Sequence, residues 1–203
     1  MDIYCTISYM LFCVAITLSV FSFLKATHIF NASIAIKGIT CSAIAILSLI
    51  HFFNHKSLAN LLYTIFDLPS FMLTLVCIIA IIRNFSDKFE VFIGIKGMVF
   101  LFVAWALFAL NTVGLFDWYF GSISYKILII CIFIAIAYCV DRICGLFMLV
   151  CFVFWMIFAR YIDIYHAMFD PLICCFCFFI QGIPSFSEKF HTTLLKPRVK
   201  KNA

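Results

Sequence analysis

Residues 121–161 read GSISYKILIICIFIAIAYCVDRICGLFMLVCFVFWMIFARY, two long apolar runs with only Asp141 and Arg142 between them. A helix rises about 1.5 Å per residue, so about twenty apolar residues match the ~30 Å hydrocarbon core of a bilayer. Only helices and closed barrels satisfy their backbone polar groups in lipid, and neither run alternates apolar with polar as a barrel strand must. Two membrane-crossing helices joined by a tight connection are therefore predicted.

Working outward, the same measure marks seven apolar segments, at about residues 3–24, 32–53, 60–82, 91–113, 121–140, 143–161 and 168–184. The sequence thus predicts an all-α integral membrane protein, a polytopic bundle of about seven transmembrane helices. Six is the alternative, because Asp141-Arg142 barely separates the fifth and sixth segments and Asp170-Pro171 interrupts the seventh. Residues 1–184 form one transmembrane domain and 185–203 a basic cytoplasmic tail. Composition points the same way: 67% of the 203 residues are hydrophobic, 11% are charged, and the mean hydropathy is +1.20. Asp2 rather than a basic residue precedes the first run, so a removable signal peptide is not expected. Most of the eleven cysteines lie inside apolar runs, where they act as small fillers rather than a disulfide framework.

Orientation follows from the basic residues, which concentrate on cytoplasmic loops. With seven crossings, eleven of the fourteen fall on one side: Lys25, Lys37, Arg83, Lys88, Lys96, Arg142, Lys189, Lys196, Arg198, Lys200 and Lys201. Only Lys56, Lys126 and Arg160 fall on the other. The expectation is an external N-terminus and a cytoplasmic C-terminus in the plasma (inner) membrane. The net charge of +5 belongs to these loop ends and the tail, so it indicates lipid and protein contacts and no direct nucleic-acid role. A faint repeat pairs Ile34-Ala35-Ile36-Lys37-Gly38 with Ile93-Gly94-Ile95-Lys96-Gly97, 59 residues on.

Polar residues inside the apolar segments are costly and mark candidate sites. The third and seventh segments open on related strings, Phe66-Asp67-Leu68-Pro69 and Phe169-Asp170-Pro171. Each carboxylate either caps a helix N-terminus, with proline in the first turn, or lines a polar cavity. If the third helix starts near Asn60, Asp67 lies two turns inside and needs a basic partner, for which Arg160 and Lys126 are the candidates. Arg160, Asp163 and His166 close the sixth segment, and Arg160 and Asp163 can meet at i, i+3. Asp67, Lys126, Arg160, Asp163, His166 and Asp170 thus make up a candidate outward-facing polar site. Lys37 and Lys96 either snorkel to phosphates or line an inner vestibule.

Ala35, Gly38, Ser42 and Ala45 form a small-residue stripe suited to close helix packing, within the chain or between copies of a homo-oligomer. His51 and His55 have metal-ligand spacing but no third ligand, and Cys174-Cys175-x-Cys177 likewise lacks a partner; no metal or cofactor is expected. The tail, through Lys196, Arg198, Lys200 and Lys201, is suited to anionic lipid or an acidic cytoplasmic protein partner. No phosphate loop, zinc-protease pair or nucleophile elbow stands outside the apolar runs, so an enzyme is not expected. Two functions remain: a non-enzymatic membrane subunit that anchors or senses for a cytoplasmic partner, or a small permease or channel with an outward-facing acidic cavity.

Overall fold

The computed structural model describes residues 3–26, 33–53, 56–86, 93–112, 121–159, 162–173 and 175–177. The chain is helical: α1 (Ile3–Ala26), α2 (Ile34–Leu49), α3 (Leu58–Phe66), α4 (Phe71–Phe85), α5 (Ile95–Thr112), α6 (Ile123–Val140), α7 (Arg142–Phe158) and α8 (Ile164–Met168), with further helical turns at 171–173 and 175–177. A short antiparallel ladder, β1 (His51–Phe53) with β2 (Lys56–Ser57), joins α2 to α3.

Serine and aspartate set the helix starts, because their side chains accept the backbone N–H groups that a first turn leaves unpaired. Ser33, Ser57 and Ser70 accept from Ile36, Asn60 and Leu73 and so open α2, α3 and α4. Asp141 accepts from Ile143 and Cys144 to open α7, and Asp163 accepts from Tyr165 to open α8.

The expected boundaries need correction in three places. The third apolar segment is not one helix but two, α3 and α4, separated at Asp67–Ser70. Pro69 cannot donate to a helical ladder and disfavours helical geometry at Leu68, so the helix stops although its residues stay apolar. The second segment leaves its helix at Leu49 and continues as a strand. The stretch between the sixth and seventh segments carries the separate five-residue helix α8.

Tyr4 and Ser8 meet Thr74 while Ser22 meets Asn84, so α1 and α4 lie side by side and run in the same direction. Helices α6 and α7 form a close hairpin: a Cβ on Gly145 would lie 2.5 Å from Tyr138 Cα, so only glycine permits this approach. Between them sit Met72, Leu73, Val76 and Cys77 of α4, Ile130 of α6, and Met148, Cys151 and Trp155 of α7, all buried. The outward faces are equally apolar. Leu128, Ile132 and Ile136 of α6 and Val150, Ile157 and Phe158 of α7 are exposed. Among the described residues, two helices, residues 3–25 and 123–140, are long and apolar enough to cross a membrane; only 17% of the second is buried.

Candidate functional site: a cavity between two interrupted segments

Asp67 caps the C-terminus of α3, with its N–H on Tyr63 O, and holds φ 61°, ψ −144°. That conformation is essentially glycine's, and a side chain there costs about 1–3 kcal/mol. Breaking the helix also frees carbonyls, and α1 supplies the replacement donors. Tyr9 Oη donates to Asp67 O at 2.6 Å, and Tyr4 Oη donates to Pro69 O at 3.0 Å. Tyr9 is fully buried, so its hydroxyl has no water to return to. The interruption is therefore fixed by a neighbouring helix, as backbone breaks in apolar surroundings require.

The second interruption meets the first through Asp170, which is only 3% exposed. Its Oδ1 accepts from Leu172 N at 2.8 Å and its Oδ2 from Ser70 N at 3.3 Å. One carboxylate thus caps two helix starts, 171–173 and α4, where the helix dipoles favour negative charge. The two related strings, 103 residues apart, face the same space.

That space is a cavity of about 220 Å³. Phe66, Asp67 and Leu68 line one side, and His166, Phe169 and Asp170 the other. Trp105 and Phe108 of α5 and Tyr165 of α8 complete it. Phe108 lies stacked between Tyr165 and Phe169, with centroids 4.4 Å and 4.7 Å away. Asp67 and His166 are exposed at this cavity, while Asp170 is buried. Although a histidine and two aspartates share it, among the described residues no three His, Cys, Asp or Glu side chains are placed to hold a metal ion.

Lys126 and Asp163 lie apart from this group and form an ion pair with each other. The ammonium also sits 5.5 Å from the centre of the Tyr165 ring, a cation–π contact. They border a second cavity, of about 330 Å³, with Trp155, whose Nε1 donates to Ile162 O at 2.8 Å. Asp163 therefore pairs with a residue 37 positions away, and Arg160, its expected local partner, lies outside the described residues.

At the opposite end of α4, Lys37 Nζ donates to Asn84 O at 2.9 Å, whereas Lys96 is exposed on α5. The sequence reading missed Asp141 here. Its Oδ2 accepts from Gly94 N at 2.6 Å while its Oδ1 caps α7, so this carboxylate too joins two helix starts. A Cβ on Gly97 would fall 2.8 Å from the same oxygen. The signal lies in Gly94 and Gly97, which the sequence shows only as part of a faint repeat. The stripe on α2 makes no such approach: Ala35 and Ser42 are exposed, Gly38 and Ala45 half-buried, and a Cβ on Gly38 would meet nothing within 4 Å. His55, Cys174 and the tail residues Lys196, Arg198, Lys200 and Lys201 lie outside the described residues, as do the side-chain surroundings of His51.

No protein-family model, curated protein or solved structure matches this chain.

Proposed function

We propose that the chain is a polytopic, non-enzymatic membrane subunit that senses at the outer face and acts on a cytoplasmic partner. The apolar outward face of α6 supports a membrane setting: a long apolar helix that is mostly unburied has lipid or another apolar surface as its natural surroundings. By the count of basic residues, the cavity opens outside and Lys37, Asp141 and the basic tail face the cytoplasm. The open small-residue face of α2 supports association with further copies in the membrane.

The observation that carries the sensing role is that the cavity is polar at one end of the fold only. Asp170 is the one charged residue among the described buried side chains. Along α4, α5 and α7, the turns between the cavity and Asp141 bury Val76, Cys77, Leu101, Ala104, Met148 and Cys151, and the nearby hydroxyls of Ser8, Thr74 and Ser19 are hydrogen-bonded within the fold. A binding site closed by such a floor suits recognition rather than passage. The interrupted α3–α4 segment favours a second function, a small permease, because transporters place binding sites at broken helices.

Co-purification from native membranes tests the proposal. A stoichiometric cytoplasmic protein should accompany the full chain and be lost when Lys196, Arg198, Lys200 and Lys201 are neutralised together. Full-length protein isolated without any soluble partner would overturn the sensing-subunit reading.

A further inference from the structure

Resting on that reading of the cavity, we infer that its ligand is a small organic ammonium ion, held between the Asp67 carboxylate and the aromatic walls. The charge balance comes first. Two helix starts face this region, and such ends ordinarily favour anions. Asp170 already occupies one donor at each, accepting from Ser70 N and Leu172 N. An incoming anion would therefore meet a buried carboxylate already seated at these ends.

What remains open favours a cation. Asp67 is exposed at the cavity, and no hydrogen bond or ion pair to its carboxylate is found among the described residues. It stands at the C-terminus of α3, where last-turn carbonyls carry the negative end of the helix dipole. His166 is the basic side chain lining this cavity, set against the two carboxylates of Asp67 and Asp170. The Tyr9 hydroxyl is directed to the Asp67 backbone oxygen, so the side chain stays available. The strained backbone there fits the same purpose, since strain persists where a side chain must be held in place for a ligand.

The walls narrow the class. Phe66, Trp105, Phe108, Tyr165 and Phe169 present aromatic surface, which attracts alkylated ammonium groups through the ring quadrupole. A bare metal ion would want several oxygen ligands instead. At about 220 Å³ the space is below the ~300 Å³ at which drug-sized pockets begin, so it fits an ammonium bearing only a few carbons. The second cavity offers no comparable site, because Lys126 and Asp163 neutralise each other.

Equilibrium dialysis of purified full-length protein in non-ionic detergent against radiolabelled tetramethylammonium tests this. Saturable binding is expected, weakened about tenfold or more in Asp67→Asn and in Trp105→Leu, and unchanged in Lys96→Gln at the other end of the fold. Asparagine tolerates positive φ at least as well as aspartate, so the first variant keeps the backbone. Equal affinity in Asp67→Asn would overturn the assigned site. Saturable binding of radiolabelled acetate with none of tetramethylammonium would overturn the ligand class, as would binding of neither. The sensing function is decided separately, by the partner that co-purifies.

Discussion

Replacing Asp170 by alanine removes the acceptor for two helix starts at once. Loss of the cap on Leu172 costs about 1 kcal/mol, the usual value for an N-cap aspartate. The Ser70 N–H is then left buried without an acceptor, which adds about 1–3 kcal/mol. The expected loss is therefore about 2–4 kcal/mol, and at ~2–4 °C per kcal/mol for a chain of this size Tm should fall by roughly 5–15 °C. Asp170→Asn keeps the shape but only one acceptor oxygen, and its amide would point at an N–H. About 1–2 kcal/mol is expected for it. Thermal unfolding of the detergent-purified protein, followed by circular dichroism at helical wavelengths, reads both. An alanine variant within ~0.5 kcal/mol of the parent would refute the role assigned to this carboxylate.

Asp67→Gly should raise stability by about 1 kcal/mol, because glycine adopts φ 61°, ψ −144° without strain, while ammonium binding is lost; a stability loss in the same melt would contradict the strain. Gly145→Ala should destabilise by about 1–3 kcal/mol, since its Cβ would meet Tyr138 backbone, whereas Gly38→Ala should gain up to ~1 kcal/mol in helix propensity with nothing in the way. A reporter fused after Ala203 should be fluorescent as a fluorescent protein and inactive as alkaline phosphatase; the reverse pattern would place the basic tail outside.

What the sequence made legible was local. Asp170-Pro171 reads as a helix start because aspartate and proline act within one turn of their own position. Asp67-Leu68-Pro69 looked similar, but Asp67 caps the end of α3 rather than the start of a helix. The break is stable only because Tyr4 and Tyr9, some sixty residues earlier, donate to its carbonyls, and no local spacing announces that. Asp163 shows the same limit: its ion pair with Lys126 comes from another helix, 37 positions away, and no local spacing announces it. Asp141 was read as a mere interruption between two apolar runs. Its importance lies in Gly94 N, a contact across 47 residues made possible by two glycines whose purpose only the fold reveals. The number of apolar runs was easier to see than their continuity, since hydropathy is blind to a proline that stops a helix without making it polar.

Flux is the most direct test of a one-ended site. Full-length protein in proteoliposomes, given radiolabelled tetramethylammonium outside, should show saturable binding and no time-dependent accumulation in the lumen above protein-free vesicles. Steady accumulation that Asp67→Asn abolishes would contradict the sensing role and make the chain a permease.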